Sequence, residues 1–313
     1  MLRIHVLNVG HGDCIVIEFP GRLSVIDINR AAEMDKDSFS EIINESLGTR
    51  AANASLLYGM GLKSYGELLE EAGYTITLTD PIDYIKKLSN GNNVFRFIST
   101  HPHMDHLSGL KSLSDQIGII NFWVQNNAFK PDLNKLSDSE KEDWAFYEKL
   151  KKEEATGIKI VRPAEGDKAD FWQQDGIYIL APNSTMISSN YDSPNNFSYV
   201  LLVVYGKHKV VLGGDAEKAT WDYLVKQYPE QLKNVTILKA SHHGRDSGYH
   251  QEAVKLMSPN CTVVSVGKKP ESDASQKYSQ YSKSVLSTRW YGTICFDLNE
   301  DGTGTYKAEF QRN

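Results

Sequence analysis

Two clusters of short β-type runs, with helical stretches set between them, restrict the fold of this chain more than any other feature. In the first half, residues 4–9, 14–19 and 23–28 follow one another across turns containing Gly10, Gly12, Pro20 and Gly21, which reads as a meander of short strands. Residues 94–99 (VFRFIS) and 119–124 continue this set. The second half repeats the style at 158–161, 177–181, 199–205, 209–212, 235–238, 262–266, 293–296 and 305–310, with Gly206 in the turn of a hairpin. Helices are expected between these groups. Asp80 followed by Pro81 is an N-cap with proline at the first helical position, and Ser137 with Glu140 has capping-box spacing at the head of a charged run to residue 152. Residues 216–227, 250–257 and 278–287 are further helical candidates. Strand clusters alternating with helices predict an α/β chain with two sheets packed face to face and helices outside, a four-layer αββα sandwich.

A chain of 313 residues with 40% apolar and 24% charged side chains has enough hydrophobic mass for a large core, which excludes disordered, collagen-like and disulfide-scaffold classes. The expectation is a single domain over 1–313, with insertions at about 31–92 and 127–157 that are either lids and partner surfaces or packing decoration. Cys14, Cys261 and Cys295 are widely spaced and form no CxxC pair, so buried thiols in a reducing compartment are the simpler reading. The start, MLRIHVLNVGHGDC, lacks the apolar block of a signal peptide, and no run reaches the roughly 18 apolar residues of a membrane span. A cytoplasmic location without membrane partners is therefore expected. The formal charge of −6 argues against a broad electrostatic footprint for nucleic acid, although a local patch or metal site can still hold a phosphate.

The chemistry concentrates in His101-Pro102-His103-Met104-Asp105-His106, directly after the strand ending at Ser99 and Thr100. Pro102 keeps the first tripeptide extended, so His101 and His103 can converge on one cation. Asp105 and His106 follow where the chain turns into a helix, and they can aim at a second. Imidazole with carboxylate suits Zn, Mn or Fe, and the lack of nearby thiolate disfavours a structural zinc knot. Gly213-Gly214-Asp215 and Ser241-His242-His243-Gly244 each follow an apolar strand, and five of the nine histidines fall in the HPHMDH and SHHG segments. No cysteine adjoins a histidine, and there is neither a GxxxxGK[ST] loop nor a GxGxxG pattern with its helix.

The order HxHxDH, then GD, then HHG resembles the metallo-β-lactamase-fold hydrolases. NVGxGD, SHPHxDHLSGL, NxxS, GGDAE and LKASHHGRxS are similar to the branch holding the hydrolase domain of the DNA-uptake protein ComEC and the pneumococcal phosphorylcholine esterase. The resemblance implies two divalent ions, Zn or Mn. His101 and His103, with one of His242 and His243, would hold the first; Asp105 and His106 would hold the second; Asp215 would bridge them. It further implies that Asp27 orients the motif loop without touching metal, that Asp13 lies near the ions, and that Asn195 and Ser198 line the substrate pocket. For Asp27 and Asp13 a plain strand-end or turn carboxylate is the competing reading, and for Asn195 and Ser198 a turn cap. Relatives often carry a further histidine after the strand at 262–266, which this chain lacks. Either Asp273 substitutes, giving an oxygen-rich site suited to Mn or to weak binding, or the second ion goes without that ligand.

Such a pair of cations lowers the pKa of a bridging water and clamps the oxygens of an in-line displacement, with Asp105 or Asp215 accepting a proton. A phosphodiester substrate, with nucleic acid and nucleotides in its range, is the first functional expectation, with Arg245, Lys268, Lys269, Lys277 and Arg289 as candidate phosphate contacts against the default of solvated surface. A small ester, lactone or phosphocholine substrate is the alternative, and a metal-binding sensor module with little turnover is the alternative from another class.

Overall fold

The structure, a computed structural model, describes residues 1–31, 60–61, 67, 78–154, 157–189, 193–267 and 274–310. Among the described residues fourteen strands form two sheets. The first contains β1 (Leu2–Val6), β2 (Ile15–Phe19), β3 (Arg22–Ile26), β4 (Val94–Ile98), β5 (Ile119–Trp123), β6 (Lys159–Val161), β13 (Ile294–Leu298) and β14 (Gly304–Ala308), in the spatial order β14-β13-β1-β2-β3-β4-β5-β6. The second contains β7 (Ile177–Ala181), β8 (Val200–Tyr205), β9 (His208–Leu212), β10 (Ile237–Lys239), β11 (Cys261–Val264) and β12 (Ser284–Ser287), in the order β12-β11-β10-β9-β8-β7. Within each sheet one half is an antiparallel meander, and the other half, β3 to β6 or β9 to β12, is parallel.

The period-2 alternation of these strands accounts for the layers. Leu2, Ile4 and Val6 of β1, Ile15 and Ile17 of β2, Leu201 and Val203 of β8, and Val210 and Leu212 of β9 fill one buried cluster between the sheets. The intervening Val16 of β2, with Val94 and Phe97 of β4, faces outward against α1 (Pro81–Ser89), α2 (Leu110–Gln116) and α3 (Asp138–Lys151), through Ile82, Leu113 and Tyr147 among others. On the far side Val200, Leu202 and Val211 face α6 (Lys218–Gln227) and α7 (Gln251–Met257). The short helices α4 (Asp170–Gln174), α5 (Ser184–Ser189), α8 (Ser275–Ser279) and α9 (Thr288–Tyr291) complete the set among the described residues. The expected αββα sandwich is therefore present, with a largely apolar sheet-to-sheet interface that also holds the buried Arg96–Asp175 ion pair.

Both helix starts read from the sequence form as expected. Asp80 accepts from the backbone of Ile82 and Asp83 with Pro81 at the first helical position, and Ser137 and Glu140 close a reciprocal capping box. Most of the 31–92 insertion lies outside the described residues. From the 127–157 insertion, α3 buries Trp144, Tyr147 and Leu150 in the outer layer, and Asp143 accepts from the backbone of Gly109 (2.7 Å) and Lys111 (2.8 Å) at the start of α2. Its described helix is thus a packed part of the sandwich and braces the helix that follows the HPHMDH loop.

One expected element is wrong in type. Residues 278–287 do not form a helix: α8 ends at Ser279, and Ser284–Ser287 is the edge strand β12, parallel to β11. Leu286 enters the inter-sheet cluster while Val285 packs on the opposite face, so two adjacent apolar residues part to opposite sides as a strand requires.

Candidate metal centre

The parallel strands of both sheets deliver the polar residues to one edge of the sandwich. β3 ends just before Asp27, β4 before Thr100 and His101, β9 before Gly213-Gly214-Asp215, and β10 before Ser241-His242-His243. Backbone bonds lace these ends together: Asp27 N–H to Ile98, Ile28 N–H to His106, Tyr199 N–H to Thr100 across the sheets, and His242 N–H to Gly214. The approach is close enough to demand glycine. A Cβ on Gly213 would lie 2.2 Å from Ser241 Oγ, and one on Gly12 would lie 2.5 Å from the carbonyl oxygen of Asp105.

Asp27 (φ 56°) accepts from Thr100 N–H at 2.7 Å, from the Thr100 hydroxyl at 2.6 Å and from His106 Nδ1 at 2.8 Å. These bonds tie Asp27 to Thr100 at the end of β4 and to His106 in the motif loop. Burial pushes its carboxyl pKa up, against the pull of His106 and Thr100. His243 donates through Nδ1 to the Ser265 carbonyl at 3.0 Å. With both Nδ1 protons committed, the neutral forms of His106 and His243 turn bare Nε2 lone pairs toward one another at 3.3 Å. That contact is repulsive unless a proton or a cation stands between them.

Carboxylates complete this group. Asp215 Oδ1 lies 3.4 Å from His106 Nε2, Asp215 Oδ2 lies 3.5 Å from His243 Nε2, and Asp105 Oδ2 lies 3.2 Å from His243 Nε2 and 3.8 Å from His106 Nε2. Asp215 Oδ1 is buried and has no hydrogen bond of good geometry. A tetrahedral ion with ligands at about 2.0–2.1 Å has ligand-to-ligand edges of about 3.3 Å. The four side chains Asp105, His106, Asp215 and His243, whose ligand atoms all lie within 4.8 Å of one another, fit a divalent ion on both spacing and donor chemistry.

A second set lies on the other side of Asp215. His101 Nδ1 faces the Thr100 hydroxyl oxygen, which has already given its proton to Asp27, so His101 Nε2 carries a lone pair; it sits 3.1 Å from His103 Nδ1 and 3.7 Å from Asp215 Oδ2. His242 Nε2 lies 3.9 Å from Asp215 Oδ2 and 3.4 Å from Asn195 Nδ2, while its Nδ1 meets the Ser247 hydroxyl at 2.7 Å. The two histidines of the SHHG segment thus serve different sides of Asp215, which they do by both adopting left-handed backbone angles (φ 50° and 52°). Consecutive non-glycine residues in that region are strained, and the surrounding bonds hold them there. Ser198, buried, receives the backbone N–H of Asp215 at 3.3 Å, and Asn195 lies against His242, so the NxxS pair borders the site. Asp273 falls outside the described residues.

The electrostatics divide the imidazoles in the metal-free protein. Burial holds the pKa of His101, His103 and His242 below the ordinary value, leaving them neutral. Burial acts the same way on His106 and His243, but Asp215 and the other carboxylates outweigh it and raise both. Conversely, burial is outweighed by these imidazoles at Asp105 and Asp215, whose pKa values are lowered.

Two residues that sequence reasoning passed over belong to the same place. Lys239, 1% exposed, reaches from the end of β10 to Asp13 Oδ2 at 2.8 Å, and Asp13 Oδ1 is 3.6 Å from His243 Nδ1. His11 lies with its ring centroid 4.7 Å from that of His243, and borders a cleft of ≈ 710 Å³ also lined by Asp105, Asn29, Arg30, Ser108 and Glu140. Burial foremost, then His243 beside it, lowers the His11 pKa to about 4. The unfolded chain takes up this proton near pH 6.5 and the folded chain does not, so His11 contributes its stability above pH 6.5 and loses it as pH falls toward 4. In metal-free protein, urea unfolding at pH 7 and pH 4.5 should show an acid loss smaller by up to about 3 kcal/mol in His11→Gln than in the wild type. An equal loss in both would exclude this role.

No family model matches the chain. A stretch of 135 residues, 42% of the chain, is 24% identical to Recombination protein 2 of Haemophilus influenzae, and it spans 16% of that relative's length. Among solved structures, the chain is similar to Igni18, a metallo hydrolase from the archaeon Ignicoccus hospitalis (TM-score 0.49, 13% identity, 99% of this chain and 100% of that one). It is also similar to YhfI, a metallo-β-lactamase-fold protein from Bacillus subtilis (TM-score 0.44, 11% identity, 97% and 99%), and to a diphosphatase of the PhnP family (TM-score 0.41, 11% identity, 98% and 99%). Among the described residues no helix is long and apolar enough to cross a membrane.

Proposed function

We propose that the chain is a metal-dependent hydrolase of phosphodiesters. The observation that carries this reading is the pair of imidazoles pinned with their Nε2 atoms 3.3 Å apart beside an unsatisfied buried oxygen of Asp215. We assign one divalent ion to Asp105, His106, His243 and Asp215, and another to His101, His103, His242 and Asp215. This assignment uses both histidines of the SHHG segment and leaves the second ion complete without Asp273. Two such ions, Zn or Mn, would supply Lewis acidity, a lowered pKa for water and neutralisation of phosphoryl oxygens.

The chain's own residues do the rest. Asp27 fixes the tautomer of His106, and the Ser265 carbonyl fixes that of His243, so both present Nε2 inward. Asp215 is held by its own backbone bond to Ser198, with Oδ1 toward His106 and Oδ2 toward His243, His101 and His242. Asp105, with 31% of its side chain exposed at the edge of the cleft, is the carboxylate placed to accept a proton as a nucleophile attacks. The name of the sequence relative, Recombination protein 2, supports extending the substrate class to nucleic acid.

The test is hydrolysis of bis-p-nitrophenyl phosphate, and of labelled single- and double-stranded DNA and RNA, by protein supplied with Mn or Zn. Turnover of the diester, abolished by a chelator and by Asp105→Ala, is expected. Metal-loaded protein that cleaves only a neutral ester or lactone would move the reading to small substrates, and metal binding with no turnover on any class would make it a sensor.

A further inference from the structure

Five basic residues are candidates for phosphate contact, and their surroundings separate them. Lys277 is tied to Asp246 and lies over the Tyr249 ring. Arg289 lies over the ring of Trp290 at 4.7 Å. Lys268 and Lys269 fall outside the described residues. Arg245 differs: it is half-buried, its Nε is buried with no hydrogen-bond partner, and among the described residues no carboxylate lies within ion-pair distance of it.

Its position follows from the strained SHHG turn. Arg245 N–H bonds to the His242 carbonyl at 2.9 Å, and Gly248 N–H returns to the Arg245 carbonyl at 3.1 Å, so the residue leaves the turn two positions after the ligand pair. After burial and nearer charges, its cation also depresses the pKa of both His11 and His242, which flank the centre on opposite sides. A guanidinium that leaves this turn with its Nε buried and unpartnered, and with no described carboxylate in ion-pair distance, is a group kept for something that arrives. Its planar fork suits two oxygens sharing one negative charge.

We propose that Arg245 is the specificity-determining residue of this site, receiving the anionic pair of non-bridging oxygens of a phosphodiester and so selecting charged phosphodiesters over neutral esters. This rests on the hydrolase reading above and adds the feature of the substrate that the chain recognises. A neutral carboxylic ester, lactone or phosphotriester offers no such charged pair.

The experiment compares metal-loaded wild type, Arg245→Ala and Arg245→Lys on an anionic diester, bis-p-nitrophenyl phosphate, and a neutral triester, diethyl p-nitrophenyl phosphate. The diester-to-triester ratio of kcat/KM should fall about 10- to 100-fold in Arg245→Ala, the range for losing a charged hydrogen bond, and be partly restored in Arg245→Lys. A ratio unchanged in Arg245→Ala would overturn the proposal, including the case where both substrates lose activity alike through a structural effect. If the wild type hydrolyses neither substrate, the hydrolase reading fails by itself. Calorimetric titration of the metal-loaded chain with inorganic phosphate then still decides for Arg245: a tenfold or greater loss of affinity in Arg245→Ala supports it, and equal affinity refutes it.

Discussion

Asp215→Asn is expected to lower diester hydrolysis by a factor of about 10³ or more and to reduce the bound metal from two ions per chain to one or none. The reason is reach. The two oxygens of this single buried carboxylate lie between 3.4 and 3.9 Å from the Nε2 atoms of His106, His243, His101 and His242. The amide replaces one of those oxygens by an NH₂ group, which has no lone pair for an ion and brings protons toward imidazoles that need to accept. Folding should survive, because the bond tying this residue to Ser198 comes from its backbone N–H. Metal analysis alongside circular dichroism separates the two effects; full activity with two bound ions in Asp215→Asn would remove Asp215 from the centre.

The second large effect belongs to Lys239 and Asp13, a pair buried to 1% and 2% exposure behind His243 and Asp105. Lys239→Met removes the cation and leaves the buried Asp13 carboxylate without its counter-charge. Breaking one partner of a buried pair costs about 3–5 kcal/mol. For a chain of this size the melting temperature should fall by about 5–8 °C. The double variant Asp13→Asn with Lys239→Met should recover part of that loss, since no uncompensated charge remains. Because Asp13 N–H also holds the Asp105 carbonyl at 3.1 Å, the single variant should bind metal more weakly as well. A Lys239→Met protein that melts at the wild-type temperature would contradict the pairing.

Much of this arrangement was legible in the sequence, because its signals are local. The short strands announce themselves by composition and turns, and thirteen of the fourteen described strands coincide with expected runs to within a few residues. The HPHMDH loop is a contiguous segment, so its spacing alone says that several candidate ligands leave one strand end together. What stayed hidden depends on partners far along the chain. Lys239 ends an ordinary strand, and only the sheet-to-sheet packing puts it against Asp13, 226 positions earlier. The sequence says that two adjacent histidines follow β10, but not that a left-handed turn sends them to opposite sides of Asp215. His11 stood beside the noted Asp13 in the GHGD turn, and its signal was a histidine set between two glycines. The edge strand β12 was misread because KSVLS has only two apolar residues, and pairing with β11 decides its conformation in place of local propensity.

The central claim is that imidazoles and carboxylates from four strand ends converge on two cations. Anomalous diffraction from crystals soaked in manganese or zinc tests it most directly. Two peaks should lie one on each side of Asp215, the first among His101, His103 and His242 and the second among Asp105, His106 and His243. An empty cluster at saturating metal, with His106 and His243 still facing each other through a shared proton, would contradict it.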